Sequence, residues 1–154
     1  MSTPMDNRIP PPFVFLVIAL AMGAASRLAP DAPIPAVVRY GLSGALFIVS
    51  GVIGFTAVRA FRRARTTINP VNLEAASSLV ITGPFRMSRN PMYVSMAALL
   101  LALALILSRP WLLLGPCFFV LWTSLFQIAP EERVMQAKFG DAYAVYKARV
   151  RAWL

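Results

Sequence analysis

The sequence predicts an all-α integral membrane protein: a bundle of about four transmembrane helices with a C-terminal amphipathic helix. Three observations carry this prediction. Apolar residues fill 58% of the 154 positions and mean hydropathy is +0.68, above the share of roughly 45–50% found in globular domains. Those residues gather in four stretches, Phe13–Leu28, Ala36–Phe61, Met92–Leu107 and Trp111–Ile128, each about long enough to cross a hydrocarbon layer of roughly 30 Å. Most of these stretches are apolar on all sides, whereas a soluble helix confines its apolar residues to one stripe. So little chain remains outside them that a single domain over 13–154 is expected, preceded by a mobile polar lead over 1–12.

The elements follow in order. Residues 1–12 are proline-rich. Phe13–Ala21 followed by Gly23-Ala24-Ala25-Ser26 has the length and small residues of a cleavable signal peptide, but Asp6 offsets Arg8 and leaves only a weak basic region ahead of it. The first segment is therefore expected to stay as a span. It ends before Pro30-Asp31-Ala32-Pro33-Ile34-Pro35, which cannot be helical throughout. The second span carries Gly41, Gly44, Gly51 and Gly54, a spacing that lets helices approach closely and predicts packing. Residues 62–90 form a long polar connection, a length that points to a functional segment. The third and fourth spans are joined only by Ser108-Arg109-Pro110, which forces a tight antiparallel hairpin. Beyond Ile128, Tyr143, Tyr146, Val150 and Trp153 recur at spacings of three and four. That pattern predicts a helix lying on the membrane or across the bundle.

Charge predicts the orientation. In a four-span topology both termini and the middle loop share one side. That side holds Arg8, Arg59, Arg62, Arg63, Arg65, Arg86, Arg89, Arg133, Lys138, Lys147, Arg149 and Arg151, leaving Arg27, Arg39 and Arg109 for the other. The positive-inside rule places the first group in the cytoplasm. The net charge of +9 is then explained by loops held against anionic lipid, and no nucleic acid partner is implied. No obligate protein partner is evident either.

Several chemistries drop out. Histidine is absent and Cys117 is the sole cysteine, set within an apolar span. No disulfide framework, histidine-based triad or zinc set can form, and six scattered carboxylates make no metal cluster. No metal is expected.

Polar residues concentrate in two places at the basic ends of the spans. The first is Arg86-Met87-Ser88-Arg89-Asn90-Pro91-Met92-Tyr93. Asn90 is a favoured N-cap and Pro91 suits a first helical turn, so the third span should begin there. A helix N-terminus flanked by Arg86 and Arg89 attracts an anion such as a carboxylate. The second is Pro130-Glu131-Glu132 after the fourth span. Each has a plain structural explanation, a helix start with membrane-anchoring arginines or acids favoured in a first turn. The hairpin, however, puts both at one membrane depth, and arginine facing paired glutamates suits a zwitterion.

Leu79 to Tyr93, followed by Glu131-Glu132, Phe139-Gly140, Tyr143, Tyr146, Val150 and Trp153, resembles the isoprenylcysteine carboxyl methyltransferase and phospholipid methyltransferase superfamily. The family pattern is an Arg-His-Pro-x-Tyr element, a hairpin, a Glu-Glu pair and a Phe-Gly-x-x-Tyr-x-x-Tyr tail. The resemblance covers about residues 66–154. It implies a methyltransferase using S-adenosyl-L-methionine, with S-adenosyl-L-homocysteine as product and a lipophilic acceptor reached from the membrane; the charge distribution puts its active site on the cytoplasmic side. The cofactor-binding positions it implies are Ser77, Ser78, Leu79, Val80, Phe85, Asn90, Pro91, Met92, Tyr93, Glu131 and Glu132. Glu131 would take the cofactor ammonium and the Asn90–Tyr93 helix start with Arg89 its carboxylate, making Tyr93 and Arg89 the candidate catalytic residues. Two positions depart from the pattern. Asn90 stands where the family has histidine, which keeps a hydrogen-bond donor but removes proton transfer. Gln127 stands at the substrate position where the prenylcysteine branch has arginine, and a neutral amide holds an anionic substrate less well.

The same residues admit two other functions. A small four-helix transporter needs an ionisable group within a span to couple protons, and no Asp, Glu, Lys or His lies mid-span here. A non-catalytic, degenerate homologue is consistent with the departures at Asn90 and Gln127.

Overall fold

A computed structural model describes residues 9–28, 32, 34–65 and 78–154. Among these there is no strand, and five α-helices make up the fold: α1 (Pro11–Ala25), α2 (Ala36–Arg63), α3 (Pro91–Leu107), α4 (Leu114–Thr123) and α5 (Ala129–Arg149). The all-α membrane architecture expected from the sequence is what is found. The helical segments Pro11–Leu28, Ala36–Arg63 and Pro110–Arg149 are each long and apolar enough to cross a membrane, and α3 is a shorter apolar helix. Its 17 residues span about 25 Å.

Proline opens each crossing. Pro11, Pro91 and Pro110 occupy first helical positions and Pro35 immediately precedes α2. The ring fixes φ near its helical value, and the missing N–H falls where a helix start leaves that donor unused. The hairpin between α3 and α4 turns at Ser108, which takes the left-handed conformation with φ 55°. Its hydroxyl donates to the Ala32 carbonyl at 3.1 Å, and its own carbonyl accepts from Ala32 N–H at 2.7 Å. The α1–α2 connection is thereby pinned to the α3–α4 turn. Arg39 and Arg109 donate to the Ile106 and Leu107 carbonyls, placing cations on the terminal carbonyls of α3.

The last crossing differs in form from the expectation of a fourth span followed by a separate helix. A 3₁₀ turn (Pro110–Leu113) leads into α4, a π-helical turn covers Ser124–Ile128, and α5 continues without a break. In a regular helix the Pro130 ring would press on the carbonyl four residues earlier. The widened turn lies at that point and lets the helix run on. Charged residues begin at Glu131, so the crossing is Trp111–Ile128 and α5 extends beyond it. The aromatic stripe of α5 also stops earlier than its spacing suggests. Gly140 interrupts the helix at φ 50°, and the chain becomes extended at Val150, so Val150 and Trp153 lie on a strap rather than a helical face.

Helix α3 is the centre of the bundle and packs against α1, α2 and α4. Ile18, Met22, Leu100, Ala104, Leu112 and Phe119 form the larger buried cluster, with Phe15 edge-on to Phe119. The α2–α3 seam closes on a polar pair. Ser50 Oγ donates to the Ser95 carbonyl at 2.7 Å and Ser95 Oγ to the Ser50 carbonyl at 2.9 Å. Of the four glycines of α2, only Gly54 serves this seam, since a Cβ there would lie 2.9 Å from Ser95 Oγ. Gly41, Gly44 and Gly51 have open space at the same position, so the packing expected of all four is confined to one.

Candidate active site

The site is built where the start of α3 meets the start of α5. Tyr93, in the first turn of α3, donates its hydroxyl hydrogen to Glu131 Oε1 at 2.5 Å. Four residues earlier, Arg89 forms an ion pair with Glu132. The acidic pair is therefore divided, one carboxylate to the phenol and one to the guanidinium. Glu132 is shared, because Lys147 Nζ lies 2.5 Å from its Oε2. Burial alone would raise the Glu132 carboxyl, but hydrogen bonds from Lys147 and Arg89 outweigh it and hold the group below the usual carboxylate range. Glu131 behaves in the opposite sense. Burial pushes it up to about 7, the Tyr93 hydrogen bond opposes the rise, and the charge of Glu132 adds to it.

A strap over 150–153 closes the other side of the cluster. Arg89 N–H donates to the Arg151 carbonyl at 2.9 Å, Ser88 Oγ to the Ala152 carbonyl at 3.1 Å, and Asn90 Nδ2 to the same carbonyl at 2.9 Å. Arg89 Nη1 also donates to the Val150 carbonyl. Asn90 sits at the N-cap of α3, yet its side chain makes no capping hydrogen bond because its amide is turned to the strap. Trp153 Nε1 donates to Ser124 Oγ at 3.0 Å. That bond ties the strap to the π-turn from which α5 continues.

Val80 and Phe85 form a second small core with Ala57. Phe85 lies edge-on to Phe61 with centroids 5.1 Å apart, and its carbonyl accepts from Tyr146 Oη at 2.7 Å. Ser78 Oγ donates to the Ala64 carbonyl at the end of α2. Met92 packs against this core, Pro91 is buried at the start of α3 and Leu79 is half-buried. Ser77 lies outside the described residues. The structure thus joins Arg89, Asn90, Tyr93, Glu131 and Glu132 in one hydrogen-bonded cluster, and sets Ser78, Val80 and Phe85 beside it against α2.

Gln127 is 1% exposed, and its amide donates to the Ile9 carbonyl at 2.7 Å. It lies in the π-turn and holds the chain entering α1. Among the described residues, no group of three or more His, Cys, Asp or Glu side chains could hold a metal ion. The sequence marks neither Ser124 nor the carbonyls of Val150–Ala152, and it gives Ser88 and Lys147 no individual place in the site. Lys147 looks like any surface cation, and backbone carbonyls leave no mark in a sequence. Trp153 carried the one usable signal, an aromatic in a stripe whose helix ends before it.

The phospholipid methyltransferase family model matches residues 38–142, from the start of α2 to the middle of α5, with Arg89, Asn90, Tyr93, Glu131 and Glu132 inside the match. The chain belongs to the phospholipid methyltransferase family. A protein of Haemophilus influenzae, itself described only as uncharacterized, is similar to it, with 46% identity over 63 residues that cover 41% of this chain and 100% of the relative. No solved structure matches. Membership in this family together with the apolar helices identifies a membrane methyltransferase, and Lys147 and the strap are the parts of the cluster that fall beyond the family match.

Proposed function

We propose that this protein is an S-adenosylmethionine-dependent methyltransferase that methylates a lipophilic acceptor at the cytoplasmic membrane face. The observation that carries the reading is the meeting of Glu131 with Tyr93 and of Glu132 with Arg89 at one end of the α3–α4 hairpin. The residues suit the amino-acid head of the cofactor. Arg89 Nε is a buried donor with no hydrogen-bond partner, a state that costs about 1–3 kcal/mol unless an acceptor arrives. A carboxylate is such an acceptor, and Glu131 offers the anion for the ammonium. Asn90 and the start of α3 complete the carboxylate end.

When bound, the cofactor supplies a methyl group on a sulfonium, already activated for in-line displacement. The chain's own share is positioning and exclusion of water, which can supply most of the rate for such a transfer. Accordingly, a chain without histidine, and without a metal cluster among its described residues, can still perform such a transfer. Tyr93 and Arg89 orient the two carboxylates, while Phe85 and Val80 form an apolar wall beside them. The acceptor enters between helices from the lipid. Gln127 is neutral and spent on Ile9, so it offers no cation to an acceptor carboxylate. This favours a phospholipid amine or hydrophobic thiol over a prenylcysteine carboxylate. The excess of basic residues on the site's side of the bundle supports a cytoplasmic face.

Two measurements test the reading. Isothermal titration of the purified protein with S-adenosylhomocysteine should show binding that Glu131→Ala abolishes; no binding by folded wild type, or unchanged binding by the variant, sinks the assignment. Incubation of membrane extract with deuterated-methyl cofactor and protein, followed by mass spectrometry, should show a labelled lipid or lipophilic thiol. Label in none of them would leave the protein a binding homologue without transfer activity.

A further inference from the structure

The strap forms a closed ring of bonds with the two helix starts. It is fixed to the start of α3 by Ser88, Arg89 and Asn90, and α3 is fixed to α5 by Tyr93–Glu131 and Arg89–Glu132. The ring is completed by the Trp153–Ser124 hydrogen bond, because Ser124 opens the π-turn that runs directly into α5. Ser124 is well suited to this. Its hydroxyl donates to the Val120 carbonyl at 2.6 Å while its oxygen accepts from the indole, so the acceptor end of the bond is held by the helix. Trp153 is half-buried, and Ser124 also. Their hydrogen bond does not involve Arg89, but the carbonyl of Val150 accepts from it, and the position of that carbonyl depends on where the strap is tied.

We infer that Trp153 and Ser124 are positioning residues whose shared hydrogen bond sets the strap, and through it the Arg89 guanidinium, for the carboxylate of the cofactor. The inference rests on the cofactor reading above. It adds a role for a residue beyond the family match and for a serine within the last crossing. It also gives the π-turn a use. Such turns are frequent at functional sites, and here the turn presents Ser124 to the strap and Gln127 to Ile9 while α5 continues to Glu131.

The test compares two ligands on full-length protein in detergent or nanodiscs: S-adenosylhomocysteine, and 5′-methylthioadenosine, which lacks the amino-acid head. Trp153→Phe keeps an aromatic ring and removes the donor; Ser124→Ala removes the acceptor with little change in volume. Each should weaken S-adenosylhomocysteine by about five- to tenfold, the scale of one hydrogen bond, and the double variant should be no weaker than the worse single. Affinity for 5′-methylthioadenosine should stay within about twofold of wild type, because the nucleoside does not use Arg89. A general loosening of the fold would weaken both ligands alike, and that result overturns the inference. So does unchanged S-adenosylhomocysteine binding in both single variants. No binding by wild type overturns the cofactor reading first and this inference with it, so the two failures are distinguishable.

Discussion

Tyr93 donates to Glu131 across 2.5 Å and joins the first turn of α3 to the first turn of α5. Burial pushes Glu131 up to about 7, with the phenol opposing the rise. Removing the hydroxyl should therefore leave more of Glu131 protonated at neutral pH. Tyr93→Phe is expected to weaken S-adenosylhomocysteine by about tenfold at pH 7, within the range for a hydrogen bond to a charged group. Most of that loss should be recovered at pH 8.5, where the carboxyl ionises without help. Titration calorimetry at the two pH values checks this; a loss that persists at pH 8.5 means that Tyr93 contacts the ligand itself.

The wild-type protein should show the same linkage in milder form. Glu131 sits past the apolar crossing and is pushed up to about 7, so below that pH it is largely neutral and offers no charge to an ammonium. Affinity for S-adenosylhomocysteine is expected to rise about tenfold between pH 6 and pH 8, one pH unit of ionisation being worth about 1.4 kcal/mol. Binding near pH 7 should release a proton, visible as a heat that varies with the ionisation enthalpy of the buffer. The stability terms run in opposite directions. Glu131, raised by burial, contributes stability that is complete in acid and lost as pH rises through about 7. Glu132, lowered by Lys147 and Arg89, contributes stability present above the ordinary carboxylate range and lost as pH falls through its depressed value.

How much of this could be read from the sequence depends on what kind of signal each part leaves. The crossings were legible because lipid demands long apolar runs with few charges, and prolines mark their starts. The pairing of residues near 90 with residues near 131 was legible because a three-residue turn leaves a hairpin no choice of register. The partners within that pairing were not. Nothing in Glu131-Glu132 says which acid takes Tyr93 and which takes Arg89, since that depends on the rotation of α5 set by the π-turn. Asn90 reads as a cap, but its amide is drawn to Ala152 by a strap that begins where α5 ends. The glycines of α2 suggest more packing than they provide, because small residues permit close approach but only at Gly54 would a Cβ meet a neighbouring helix.

Glu132 should matter to folding more than to ligand contact. It holds Arg89 on one side and Lys147 on the other, and Arg89 is only 10% exposed. Glu132→Gln keeps the shape but leaves a partly buried guanidinium with a neutral partner, at an expected cost of about 1–3 kcal/mol. Arg89→Lys should cost a similar amount although it preserves charge, because one ammonium cannot reproduce the fork that reaches Glu132 and Val150 together. Denaturation of the detergent-solubilised protein, followed by helical circular dichroism, measures both. Lys147→Ala is the control: its side chain is 48% exposed, and its loss should cost under about 1 kcal/mol.

The α2–α3 seam can be tested apart from the site. Ser50 and Ser95 exchange hydrogen bonds with each other's carbonyls, and their hydroxyl oxygens lie 3.0 Å apart. Bonds of this kind between membrane helices are worth about 0.6 kcal/mol on average and about 2 at most. Ser50→Ala and Ser95→Ala should each destabilise within that range, and the double variant should fall short of their sum because the two share partners. Gly54→Ala should do more harm than either. Its added carbon would come within 2.9 Å of Ser95 Oγ, so the hydroxyl must leave the clasp or the helices must separate. Gly51→Ala, one turn earlier with open space at its Cβ, should be neutral or slightly stabilising through helix propensity. Equal effects at Gly51 and Gly54 would show that the seam does not close at Ser95.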